Sequence, residues 1–427
     1  MVALIFGSFF VALFADMMIS LALGASSVLA IIYSRAIPMI VVPQRIAASL
    51  DSVSLLAIPL FILAGMVMSE AGIGEKIVEA VNTLVRHIRG GLAHVNILAS
   101  LVFGGISASS VADTAAIGGI MIPSMQRRGY PTDFSVAVTA ASSPLSAIVP
   151  PSTLMIIYSS LTGASVASLF LAGFIPGVIF AGAECVAAYV ISKRCGYGTI
   201  EKRASPREIA TAFFRCLPAL LMPVIIIGGM LGGIFTVTEA GAVAVVYGLI
   251  VSVLIYHTMT WKRLVRCFAE TARLTGAIGL VMGIAGLFAW IIASQQVPQA
   301  IVRTMLSIAK SPWFFLLLVN ILFLFVGMFI NAGTAMVILV PLLYPVAQAL
   351  GIDLVHFGII TVVNFGIGAV TPPVGTCLLT ACSTAGITVD KSIRAVTPFM
   401  LAMVIALLII TYWPGGVMFL PRLMAAR

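Results

Sequence analysis

Four short clusters of glycine, proline, hydroxyl and amide residues interrupt the apolar runs of this 427-residue chain, and they are where its chemistry must lie. The first reads Gly104-Gly105-Ile106-Ser107-Ala108-Ser109-Ser110-Val111-Ala112-Asp113-Thr114. Its glycines permit a tight turn, and its hydroxyl and carbonyl oxygens are the ligands that hard cations take. So many small hydroxyls suit sodium. A helix restarting at Ser109 or Ser110 would aim its positive end into the same space. Asp113 has two readings, the acidic member of a capping box Ser110-x-x-Asp113 or an ion or coupling group. The second cluster, Ala141-Ser142-Ser143-Pro144-Leu145-Ser146-Ala147-Ile148-Val149-Pro150-Pro151-Ser152-Thr153, loses two N–H donors to its paired prolines and frees the preceding carbonyls. Ser152 and Thr153 can cap the helix that resumes. The third and fourth are Asn331-Ala332-Gly333-Thr334 and Asn364-Phe365-Gly366-Ile367-Gly368-Ala369-Val370-Thr371-Pro372-Pro373-Val374-Gly375-Thr376. No lysine or arginine falls in any of the four.

Rival chemistries find less support. A hydrolase built on Ser107 or Ser110 lacks a base, because His87, His94, His257 and His356 show no catalytic pairing with them. The six cysteines form no CxxC pair and read as packing residues. No glycine-rich nucleotide loop occurs, so ATP hydrolysis would need another subunit.

The elements that position the clusters follow from composition. With 61% hydrophobic and 9% charged residues, against about 25% charged in soluble domains, the chain cannot be a water-soluble enzyme, a nucleic-acid reader or a disordered scaffold. At roughly 20 apolar residues per span, its length allows about ten to twelve membrane passes. Apolar runs lie at about 1–15, 17–33, 53–70, 92–126, 133–160, 166–192, 213–235, 238–256, 275–294, 312–348, 355–386 and 395–420. Amphipathic pieces at 36–50, 73–89, 258–273 and 298–310 suit helices lying in the interface. The N-terminus enters its apolar run without a basic stretch or cleavage site and reads as a retained first span. At such depth an acid costs about 2.5–3.5 kcal/mol, so Asp113 needs a partner. Glu184 reads as a structural acid paired with another helix, and Asp16 and Glu239 as caps.

The halves repeat. Gly104-Gly105 and Gly327-Met328 lie 223 residues apart, as do Asp16 and Glu239, and Pro150-Pro151 precedes Pro372-Pro373 by 222. The offset argues for internal duplication. The runs at 92–126 and 312–348 are broken centrally into halves of about 16 residues, roughly 24 Å each, short of a hydrocarbon core of roughly 30 Å. Two short crossing helices or one re-entrant hairpin would both fit. Re-entrance leaves five crossings per half, so the second half is inverted, and a cytoplasmic central linker then puts 17 of the 23 basic residues inside. Arg35, Arg45, Arg303, Lys310, Arg422 and Arg427 remain outside, with both termini. Crossing hairpins would separate Arg127-Arg128 from Lys193-Arg194, which favours re-entrance. The fold expected is an all-α polytopic membrane protein, an inverted repeat with two re-entrant helical hairpins and two broken transmembrane helices. That is the architecture of secondary transporters, which tolerate broken backbone only where it is buried or lines a polar cavity.

The motifs Gly104–Asp113 with Thr114-Ala115-Ala116-Ile117-Gly118, Pro150-Pro151-Ser152, Phe235-Thr236-Val237-Thr238-Glu239-Ala240, Gly327-Met328-Phe329 and Thr371-Pro372-Pro373-Val374-Gly375 resemble, in order and over essentially the whole chain, the large membrane subunit (DctM family) of TRAP transporters. The resemblance implies an elevator-type member of the ion transporter superfamily in a bacterial inner membrane. It would be coupled to two or more sodium ions, without organic cofactor, and import a small organic acid. Its implied partners are a small four-helix membrane subunit (DctQ-like) and a periplasmic substrate-binding protein (DctP-like). Carried over by position, one sodium falls near Ser107, Ser109, Pro150 and Ser152, and a second near Asn331, Thr334, Thr371 and Pro372. Ser110, Asp113, Thr153, Gly333, Pro373 and Thr376 would contact substrate or couple it. Asn331 stands where relatives often carry Asp, which weakens a shared ion role there. The division expected is scaffold at 1–90 and 213–310, transport block at 91–192 and 311–427, and a basic linker at 193–212. The nearest alternative is a stand-alone sodium- or proton-coupled carboxylate transporter of the same superfamily.

Overall fold

The structure, a computed structural model, describes residues 1–35, 37–308 and 311–425. Lys310 and Arg427, counted above as outer charges, lie outside the described residues. Every regular element among those described is helical, as a chain whose backbone must satisfy itself in lipid requires.

The duplication is visible in the helix boundaries. Thr153–Thr162 and Thr376–Ala385 start 223 residues apart, and so do Val166–Cys195 and Val389–Tyr412. The hairpin Gly91–Ser107 and Ser110–Arg127 has its counterpart in Pro312–Gly327 and Ala332–Ala349. Packing is reciprocal: Ile19–Ser34 lies on Trp261–Ser294, while its counterpart Val237–Ile250 lies on Ala57–Glu70. Likewise Thr132–Ser142 packs on Val389–Tyr412, and Leu354–Gly368 on Val166–Cys195. Such exchange is what two halves related by a pseudo-two-fold axis must show. The axis passes near Pro144 and Gly366, repeat mates that meet each other: a Cβ on Gly366 would sit 3.1 Å from Pro144 Cβ.

Buried amides tie each hairpin to its broken helix. Asn96 donates to Thr139 Oγ1 at 2.7 Å, and Ser142 donates to Ser100 at 3.2 Å. In the second half Asn364 donates to Asn320 Oδ1 at 2.8 Å, and Asn320 to Thr411 at 3.0 Å. Asn320→Leu should lower stability by about 1–2 kcal/mol, read as a fall in Tm in detergent. An unchanged Tm would mean the amide network holds nothing.

Two expectations change. The piece at 258–273 does not lie apart from the following span; Trp261–Ser294 is one continuous helix of 34 residues. Its repeat mates, Val41–Leu50 and the helix after it, bend by 62°, because Asp51-Ser52 interrupts the first half where Leu274-Thr275 continues the second. Length and composition qualify six helices for crossing, or up to eight with two bent pairs, among the described residues. The ten crossings expected include shorter helices, Val2–Phe14, Ile19–Ser34, Leu354–Gly368 and Thr376–Ala385, which fall below that length. One of the six, Ala332–Ala349, is a limb of the second hairpin.

Candidate functional site

The first tip is a turn between two helices. Ser107 ends one helix, Ala108 takes the left-handed conformation (φ 53°), and Ser109 caps the next by accepting from Ala112 N–H at 3.5 Å. The cap is therefore Ser109, and Ser110 is the first helical residue. Asp113 is released from the capping box. It is fully buried, with the Ser100 hydroxyl and Cys377 beside it, and neither carboxylate oxygen makes a hydrogen bond of ordinary length and angle. Ser107 Oγ is buried and unpartnered as well. Thr114, next along the helix, is satisfied: its hydroxyl, with one proton to give, lies 2.7 Å from Ser110 O and 2.6 Å from Ser143 Oγ.

The first break packs directly on this tip. The helix stops at Ile148 and resumes at Thr153, capped by Ser152, which accepts from Met155 N–H and donates to Ala147 O at 2.5 Å. Thr153 does not cap; it donates to Ala108 O at 3.0 Å and so joins break to tip. Glycines set the spacing. A Cβ on Gly104 would lie 2.6 Å from Ser146 Cα, and one on Gly105 would lie 3.4 Å from Pro150 O. On the other side, a Cβ on Gly65 would lie 2.7 Å from Ser107 O, and Pro223 stands 3.3 Å from a Cβ on Gly105. Thus Ser107, Ser109, Pro150, Ser152 and Thr153 come together. Gly65 and Pro223, on the helices facing them, carry no sequence signal beyond being a glycine and a proline inside apolar runs.

The second tip and break repeat the arrangement more openly. Asn331 caps Ala332–Ala349 by accepting from Gly333 N–H at 3.0 Å and is exposed. Gly327 and Gly368 meet backbone to backbone, a Cβ on Gly368 falling 2.6 Å from Gly327 Cα. Thr371 donates to Ile367 O at 2.8 Å, while Pro372 is half-buried and Pro373 exposed. Both Pro-Pro peptides are cis. Thr376 opens the resumed helix, and Thr334 and Gly333 are half-buried on the opposing limb. Across the halves, Ser110–Arg127 packs on Thr376–Ala385, and Thr153–Thr162 on Ala332–Ala349. All four clusters therefore belong to one packed unit.

Other acids fare differently. Glu239 completes a capping box with Thr236, whose N–H donates to it at 2.7 Å. Asp16 does not cap; it sits in a left-handed turn (φ 61°). Glu184 is buried in Val166–Cys195 with both oxygens unpartnered, so the helix-pairing expected of it is not made among the described residues. No group of three or more His, Cys, Asp or Glu side chains comes together among them. The linker, from which no function was read, is tied to the first half: Arg86 bonds Glu208 at 2.8 Å and Lys202 O at 2.9 Å, and Arg128 pairs with Glu201.

A duplicated, wholly helical membrane chain whose hairpins close on interrupted helices has the form of a transport permease. Residues 6–415 match the family described as the tripartite ATP-independent periplasmic transporter, DctM component, and the chain belongs to that family. It is 41% identical over 381 residues to the sialic acid TRAP transporter large permease protein SiaM of Vibrio cholerae, covering 89% of each chain. It is 38% identical to the C4-dicarboxylate TRAP transporter large permease protein DctM of Pseudomonas aeruginosa, covering 86% of each. The YdaH transporter of Alcanivorax borkumensis shares the fold, with a TM-score of 0.59 at 13% identity over 85% of this chain and 86% of that one. The relatives are permeases, and this chain is a multi-span transport protein, not an enzyme.

Proposed function

We propose that this permease imports a small organic anion, driven by sodium, in a bacterial inner membrane with its central linker in the cytoplasm. A periplasmic binding protein delivers the solute and a small membrane subunit braces the scaffold. The observation that carries the reading is the first tip: Ser107 Oγ and both Asp113 oxygens are buried without partners. Buried polar atoms are almost always satisfied, and a hard cation is satisfied by oxygens such as these. The residues present thus fit a sodium ion as coupling substrate, with hydroxyl, carboxylate and freed carbonyl oxygens as its ligands. The second site is looser, because Asn331 is exposed and already engaged by Gly333 N–H.

Motion is proposed as an elevator, with 91–192 and 311–427 sliding as one block against 1–90 and 213–310 and the two hairpins re-entrant. The glycine contact at the first tip supports it: Gly65 of the scaffold meets the Ser107 backbone of the block with no side chain of its own between them. Cargo of anionic class is supported by the helix N-termini at the tips, whose positive ends would act together with the proposed sodium ions where no lysine or arginine stands. Two sodium ions crossing ~100 mV supply roughly 4.6 kcal/mol, at about 2.3 per charge. Sialic acid and C4-dicarboxylates are named for relatives, so both serve as test solutes. Proteoliposomes holding the permease and its membrane subunit should take up solute only when binding protein and an inward sodium gradient are both supplied. Uptake without the binding protein would favour the stand-alone transporter.

A further inference from the structure

A cavity of about 830 Å3 lies away from the four tips. It is a half-open cleft lined by the arm helix Val41–Leu50, the long helix Trp261–Ser294, the second arm Val297–Ile308 and the hairpin limb Ala332–Ala349. Its size falls in the range of small-molecule sites, about 300–1,000 Å3. The walls are largely apolar, with polar side chains from separate elements: Ser52, Ser160, Gln299, Arg303 and Tyr344. Among the described residues no acidic side chain lines it. Arg303 and Gln299 are exposed to the open side of the cavity, and among the described residues their side chains make neither ion pair nor hydrogen bond. Trp290 lines the cavity too, and the Arg45 guanidinium sits 4.7 Å over its ring.

We propose that this cavity binds a small organic carboxylate, held by Arg303 with Gln299, before the solute reaches the tips. A guanidinium presents a planar fork that matches a carboxylate through two parallel hydrogen bonds. An unpaired one in a cavity without acids selects for an anion. The second cationic group, Arg45 on Trp290, adds positive potential at the same wall. A lipid tail fits less well, because it would cover the polar groups of four elements without bonding them. The tips carry no cationic side chain of their own, so the cavity would add a guanidinium to the helix N-termini and sodium ions proposed there. The inference rests on the import of an organic anion proposed above, and on Arg303 facing the outer side.

The test uses the full chain in nanodiscs with Trp261, Trp313 and Trp413, all exposed, replaced by phenylalanine so that Trp290 alone reports. Iodide should quench Trp290 more than caesium does, and succinate or N-acetylneuraminate should relieve that quenching saturably. Arg303→Gln should weaken the protection by about tenfold or more. Arg303→Lys should keep the iodide preference but lose most of the protection, because charge survives and the fork does not. Equal protection in wild type and R303Q would overturn the assignment. So would quenching by brominated acyl chains that neither acid relieves. Failure of sodium-driven uptake by the unmodified permease speaks against the importer reading and leaves the Trp290 titration standing on its own.

Discussion

Gly368→Ala should cut uptake by about tenfold or more, the equivalent of roughly 1.4 kcal/mol in transport competence, while the protein still reaches the membrane. The Cβ it introduces would sit 2.6 Å from Gly327 Cα, 2.7 Å from its carbonyl carbon and 2.9 Å from its oxygen. All three are backbone atoms, so no rotamer can relieve the clash. Overpacking of this kind costs about 1–3 kcal/mol, and relief requires the second hairpin tip to withdraw from its break. Gly104→Ala meets the same obstacle at Ser146 Cα and should behave alike. Gly182→Ala is the control. Nothing lies within 4 Å of its Cβ position, and a helix interior gains up to about 1 kcal/mol from the exchange. Uptake rates normalised to purified protein, with size-exclusion profiles for folding, separate the three. Full activity in G368A would mean that the tip and the break need not touch.

Asp113→Asn should raise the sodium concentration for half-maximal uptake by about tenfold or more without loss of stability. The carboxylate is the only formal charge in the four clusters, and it is buried with both oxygens unpartnered. Removing an uncompensated buried charge does not destabilise a fold and can help it. Removing a cation's only anionic ligand weakens its binding strongly. A packing or capping role makes the opposite prediction, lower Tm with an unchanged sodium titration. Ser107→Ala should act in the same direction and less strongly, since it deletes one neutral ligand.

How far the sequence could be read follows from what makes a signal. Gly104-Gly105, Pro150-Pro151 and Pro372-Pro373 stand out because glycine and proline break apolar runs, and their spacing of 222–223 residues exposed the duplication. The offset also pairs Ser142 with Asn364, and Pro144 with Gly366, although only packing shows that the last two touch. Whether Ser109 or Ser110 caps the helix depends on one residue of phase between two adjacent serines, below what a pattern resolves. The partners of the tips, Gly65 and Pro223, are ordinary residues of their own helices and acquire meaning only across the interface. The continuity of Trp261–Ser294 was hidden because charge at 262–273 marks an interface-facing surface, not a helix end. Arg303, counted only for orientation, turned out to line a cavity.

Retention of radiolabelled sodium by the purified permease in nanodiscs tests the central claim most directly. Wild type should bind sodium saturably, with binding strongly weakened in Asp113→Asn, weakened less in Ser107→Ala and unaltered in Gly182→Ala. Equal retention by wild type and Asp113→Asn, or none by either, would contradict a sodium site at the first tip.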